Sequence, residues 1–221
     1  MTREEMIYQE GLRAQAYQIL SVCFCQPEKD LLDQGVFNRL MSALKTLSPE
    51  AQGFAHIMAE SFPGYTGQEL LVEYARLFLG PFKLPAPPYG SVYLEQAGQL
   101  MGESTIAVAR LYQDLGISLS EDTRDMPDHI AAELEFMYFL TSSSRNALLD
   151  SDRERAGDFI RTGQLFLRQF LLPFALPFSA NIEKETSNEY YGALAGCLRA
   201  FVSADQGYVE QLVGDLATAT P

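Results

Sequence analysis

The chain of 221 residues has only two histidines, His56 and His129, and each is followed four positions later by a glutamate, Glu60 and Glu133. A spacing of four puts both members of a pair on one helix face. Such a pair can ligate a metal, move a proton or anchor a neighbouring loop by hydrogen bonding. Di-iron helical bundles use Glu-x-x-His pairs with further glutamates on facing helices, and the order and spacing here differ. A metal-binding or enzymatic helical bundle built on His56/Glu60 and His129/Glu133 is therefore an alternative without the usual ligand pattern. Cys23 and Cys25 lack a second cysteine pair and fit core packing better than a metal site. Phosphate loops, dinucleotide fingerprints and nucleophile elbows are missing from the sequence. That balance favours binding over catalysis.

Two other stretches carry chemical potential. Between Glu121 and Glu135 there are six acids and one arginine, a local charge of −5 in a short span. Asp128 and Glu135 lie near another edge than the face that carries His129 and Glu133. The second stretch is GPFKLPAPPYGSVY, from Gly80 to Tyr93. It is too broken for a helix and longer than most helix connections. Its prolines hold the backbone with little entropy left to lose, so Phe82, Tyr89 and Tyr93 can be presented on a defined loop. Composition alone leaves two uses open: a peptide-binding surface, or a wrap that buries its own rings against the core.

The elements that must position these residues are helical. Leucine and alanine outnumber valine and isoleucine by more than three to one, which favours helix over strand. Tyr8, Leu12, Ala16, Ile19, Leu20 and Cys23 recur at intervals of three and four, and predict an amphipathic helix of roughly five turns. Val108, Leu111, Tyr112 and Leu115 repeat the pattern, as do Ile130, Leu134, Met137 and Tyr138, and Phe159, Gly163, Phe166 and Phe170. Breaks are predicted at Gln26-Pro27, at Ser48-Pro49 with serine as cap, at Pro63 to Gly67, at Gly116, at Pro173 and Pro177, and around Ser203 to Gly207. Asp125-Met126-Pro127-Asp128 predicts a helix start with an aspartate cap. The expected fold is all-α: a single irregular domain of about eight or nine helices over residues 1–221, with a Gly/Pro-rich hinge at 80–91.

Charge and cysteine content bound the partners. The formal net charge is −13, which disfavours nucleic acid, because phosphate binding depends on Lys and Arg. An odd count of three cysteines argues for a reducing compartment. The longest apolar run, Phe170 to Phe178, is short and holds two prolines, so no membrane span is expected. The acidic N-terminus does not look like a signal peptide, and a cytoplasmic, unprocessed protein is the expectation.

Taken together and in this order, EYARLFLGPFKLPAPPYGSVYLE (Glu73 to Glu95) and MPDHIAAELEFM (Met126 to Met137) resemble the TorD/DmsD/NarJ-like family of molybdoenzyme-maturation chaperones. The first looks like that family's Y-x-x-L-F-x-G-P followed by P-P-Y-x-S-V-Y, and the second like its P-D-H-I-x-x-E-L-x-F-M helix. The resemblance implies an all-helical fold and no enzymatic turnover. It also implies binding to the twin-arginine signal peptide or N-terminus of a molybdopterin oxidoreductase precursor, keeping it competent for cofactor insertion before export. No cofactor of the chaperone's own is implied.

Carried onto this sequence, the resemblance implies a peptide-binding set of Tyr74, Phe78, Phe82, Pro87, Pro88, Tyr89, Ser91, Tyr93, Asp128, His129 and Glu133. The rings would receive apolar side chains, and Asp128 with neighbouring acids would pair with arginines. His129 would contact the peptide or anchor the loop. The family also implies a monomer or a domain-swapped homodimer, and weak guanine-nucleotide binding in some members. Many members carry tryptophans, whereas this chain has none. The FLRQFLLPFALPF stretch around Phe166 to Phe178 stands in their place without an indole donor.

Overall fold

The computed structural model describes residues 1–29, 32, 34–80, 83–95, 100–117 and 126–218. Nine helices of twelve residues or more are found among them, joined by one short helix in the predicted loop. In chain order these are α1 (Arg3–Cys23), α2 (Gln34–Leu47), α3 (Pro49–Ser61), α4 (Gly67–Phe78), the short α5 (Ser91–Leu94), α6 (Glu103–Asp114), α7 (Ile130–Leu149), α8 (Arg153–Phe166), α9 (Leu172–Glu185) and α10 (Glu189–Thr218). No strand occurs among the described residues, and the fold is one all-α domain.

Local chemistry accounts for the helix ends. Thr2 and Thr66 each accept from the backbone N–H three residues on, and Glu5 and Glu69 return a carboxylate to the threonine N–H. This reciprocal pairing satisfies donors that a helix leaves free at its first turn. Ser48 caps α3 as its sequence predicts, accepting from Ala51 N–H. Gly116 follows α6 with φ +72°, a left-handed conformation that glycine adopts without strain.

Helix α1 packs on α7, α7 packs on α8, and α10 packs on α3 and α9. Their shared interior is aromatic despite the lack of tryptophan. Phe37 meets Phe62 at 5.3 Å between ring centres, Phe62 meets Tyr190 at 5.0 Å, and Phe174 meets Phe178 at 5.4 Å. Burying each such ring contributes about 1.5–3 kcal/mol. Cys23 and Cys197 join this core, whereas Cys25 is on the surface, one residue past the buried Phe24. Tyr8 departs from its predicted stripe and is also exposed.

One polar network is sealed inside. Arg13 is bidentate to Asp205 at 2.6 and 2.9 Å and reaches Glu10 at 2.5 Å. Tyr17 donates to Asp205 at 2.6 Å, and Ser144 donates to Glu10. Burial opposes the guanidinium charge, but Asp205 and Glu10 outweigh it and hold Arg13 charged. The network fastens α1 to both α7 and α10.

Four predicted boundaries are corrected. Neither Pro173 nor Pro177 ends a helix: α8 passes through a π turn at Leu167–Leu171 into α9, with Pro173 in the first turn after it and Pro177 inside. An interior proline costs about 3 kcal/mol, and the fully buried Phe174 and Phe178 on the same turns offset it. The Ser203 to Gly207 break is absent, since α10 runs through it while Val202, Asp205 and Val209 are buried. Finally, α7 starts at Ile130 with His129 as its cap; Asp125, the predicted cap, lies outside the described residues.

The joined rod Arg153–Glu185 is long and apolar enough to cross a bilayer by length and composition. Its apolar side chains Phe166, Leu171, Phe174 and Phe178 are buried within the protein's own core.

Candidate functional site

The loop after α4 is fastened to the start of α7 backbone to backbone. Tyr89 and His129 form an antiparallel bridge. On either side, Gly90 N–H donates to Asp128 O at 2.7 Å and Ile130 N–H donates to Pro88 O at 2.9 Å. Ala86 N–H donates back to Leu77 O at 3.3 Å, so the proline segment is held at both ends.

Side chains of the MPDHI stretch reinforce that junction. Asp128 Oδ2 accepts from Ser91 N–H at 2.8 Å and from the Thr105 hydroxyl at 3.0 Å, joining the loop to α6. The His129 Nδ1 accepts from Ala131 N–H at 3.2 Å and caps α7. Tyr112 donates to Pro127 O at 2.9 Å. Glu133 lies one turn further along α7 and is fully buried; neither of its carboxylate oxygens has a hydrogen-bond partner among the described residues. Burial, and then the neighbouring Asp128, push its pKa well above the usual carboxylate range.

Gly90 makes this close approach possible. A Cβ there would stand 3.0 Å from Glu133 Oε1 and 3.4 Å from the Phe174 ring. The tight contact, and not an unusual backbone angle, explains the glycine.

The outer face of the loop borders a groove of about 900 Å³. Leu84, Pro85, Pro87, Tyr89, Val92 and Tyr93 form one wall, and Asn181, Lys184 and Glu185 at the end of α9 form the other. Gly80, Lys83 and Leu100 complete the rim. Tyr93 lies 5.2 Å from Phe174 between ring centres, and its hydroxyl accepts from Asn181 Nδ2 at 3.4 Å. Burial raises the Tyr93 pKa to about 12, so it is a neutral phenol at physiological pH. Among the described residues of the lining only Lys83, Lys184 and Glu185 are charged, and Lys184 pairs with Glu185 at 3.3 Å.

The candidate residues therefore divide between surface and support. Pro87, Tyr89 and Tyr93 line the groove. Tyr74, Phe78, Pro88, Ser91, Asp128, His129 and Glu133 are buried beneath it. Phe82 lies outside the described residues, as do Glu121, Asp122 and Asp125 of the acidic stretch. The expected pairing of Asp128 with incoming arginines meets a carboxylate that is buried and already bonded to Ser91 and Thr105. Tyr74 and Phe78 instead pack on each other at 5.1 Å, and Phe78 packs on Phe178 at 5.9 Å.

The sequence reading did not single out Leu84, Val92, Leu100, Asn181, Lys184 or Glu185. Val92 sits inside the quoted S-V-Y motif and could have been taken from it, whereas Asn181 to Glu185 reach the groove only through the fold. His56 and Glu60 pair at 3.3 Å on the exposed side of α3, while His129 and Glu133 are buried. No group of three metal-competent side chains forms among the described residues.

The sequence profile of the nitrate reductase delta subunit family matches residues 42–180. A relative named Tat proofreading chaperone DmsD from Salmonella typhi is 32% identical over 97 residues, covering 44% of this chain and 47% of the relative. A relative named chaperone protein TorD from Vibrio vulnificus is 26% identical over 205 residues, covering 89% of this chain and 94% of that one. The chain thus spans about half the length of the DmsD relatives it matches. In fold it is similar to an Archaeoglobus fulgidus protein described in terms of redox enzyme maturation. The TM-score is 0.53 at 24% identity, covering 86% of this chain and 93% of that one.

Proposed function

The chain belongs to the nitrate reductase delta subunit family, the TorD/DmsD/NarJ-like group, and on that footing we propose that it is a cytoplasmic redox-enzyme maturation chaperone. It binds the twin-arginine signal peptide or N-terminal segment of a molybdopterin oxidoreductase precursor, and holds that precursor back until its cofactor is inserted. The role requires binding and release without chemical turnover. The observation that carries this reading is the groove itself: a proline-stiffened, aromatic wall fastened to α7 through Tyr89 and His129 and open to solvent. Rigid walls reduce the ordering cost of binding.

The lining also suggests how such a peptide lies. Leu84, Val92, Tyr89 and Tyr93 receive the apolar portion. Lys83 and Lys184, offset by Glu185 alone among the described lining residues, disfavour arginines within the groove, so the twin arginines lie beyond the rim, over the acidic surface of a chain with net charge −13. The buried Asp128, His129 and Glu133 shape the groove from behind. Fluorescence anisotropy with labelled twin-arginine signal peptides from the same organism tests the proposal. Binding that a scrambled peptide does not reproduce is expected, and no binding to any of them at low salt overturns it.

A further inference from the structure

A second groove lies between α1 and α7, with a volume of about 530 Å³. Ser142 and Arg145 on its α7 side stand 13 and 16 positions past His129, roughly 20–24 Å along the helix axis. It is thus a surface separate from the loop groove. Its walls are apolar at Tyr8, Leu12 and Tyr138, and among the described residues Arg145 is the only charged side chain in its lining.

Arg13, Arg76, Arg161 and Arg199 each reach a carboxylate, whereas no carboxylate among the described residues pairs with Arg145. Its stem lies across the bare backbone of Gly11, where a Cβ would stand 3.2 Å from Arg145 Nε and 3.4 Å from Cδ. The missing side chain on α1 thus forms the shelf that places the guanidinium in the groove. Gln15, Gln18 and Asn146 add neutral donors and acceptors. Tyr8, although it begins the apolar stripe of α1, is 60% exposed at the mouth.

An uncompensated guanidinium beside aromatic and aliphatic walls selects a carboxylate flanked by apolar side chains. We infer that the α1/α7 groove docks an acidic, leucine-like peptide segment of a partner protein, with the carboxylate on Arg145 and the apolar side chains on Tyr8 and Leu12. A partner held at both grooves gains avidity from two modest contacts.

The test titrates the full chain with a labelled decapeptide of alternating leucine and glutamate, and with its lysine-for-glutamate counterpart. The acidic peptide binds and the basic one does not. Arg145→Glu weakens the acidic peptide by about tenfold or more, and Tyr8→Ala weakens it too; both positions are exposed, so the fold is retained. Val92→Glu, in the other groove, leaves that affinity unchanged. Equal binding of the two peptides, binding of neither, retention in Arg145→Glu or loss in Val92→Glu overturns the inference. None of these results bears on signal-peptide binding at the loop groove.

Discussion

Tyr89 and His129 face each other across a single antiparallel bridge, with their rings 5.4 Å apart between centres. Forty residues of sequence separation are closed by this pairing. The proline loop therefore takes its position from the start of α7, and His129, whose spacing from Glu133 left ligand, proton carrier and anchor open, works as a helix cap.

Asp128 should behave as a structural residue. Its Oδ2 satisfies Ser91 N–H and the Thr105 hydroxyl in a buried setting. Asp128→Ala leaves those donors without an acceptor and is expected to lower stability by about 2–3 kcal/mol. Asp128→Asn keeps an oxygen acceptor and should cost less. Urea denaturation measures both; an unchanged midpoint for Asp128→Ala would show that the junction is held by other contacts.

Glu133 gives the fold a pH dependence of defined sign. Burial, then Asp128, raise its folded-state pKa, so above the ordinary carboxylate pKa the unfolded chain binds fewer protons than the folded one. By linkage, this contribution to stability is present in acid and declines as pH rises toward the folded pKa. Glu133→Gln cannot ionise. Relative to the wild type it should gain stability progressively as pH rises above the ordinary carboxylate range, read from denaturation midpoints at each pH. A constant difference between the two proteins would contradict the assignment.

Removing Arg13 should be the costliest of these changes. Glu10 and Asp205 are buried with it and depend on its charge. Arg13→Ala leaves two uncompensated carboxylates in the interior, and a loss of about 3–5 kcal/mol is expected. A melting temperature within a few degrees of the wild type would contradict this.

Local chemistry made much of the fold readable. Ser48, Thr66 and Gly116 mark helix ends through bonds or conformations that single residues supply, and the paired motifs around Tyr89 and His129 pointed to one site. Pro173 and Pro177 misled because their local cost is offset by burial of Phe174 and Phe178, which no short window shows. Asp128 and Glu133 read as peptide-contacting residues because acids are exposed by default; only the fold brings Ser91, Thr105 and Gly90 against them. Lys184 and Glu185 join the groove from the far end of α9, about ninety residues beyond the loop, with no local signal.

The proposed role depends most on where an apolar peptide docks. The direct measurement is the affinity of a labelled twin-arginine signal peptide for the wild type, Val92→Glu and Val72→Glu. Val92 lies in the groove wall, while Val72 is an exposed valine on α4 outside that groove. A carboxylate in an apolar contact costs on the order of 1–3 kcal/mol, so Val92→Glu should weaken binding about tenfold or more while Val72→Glu leaves it nearly unchanged. Equal affinities for all three proteins, or a loss confined to Val72→Glu, would contradict docking in the groove beside Tyr89.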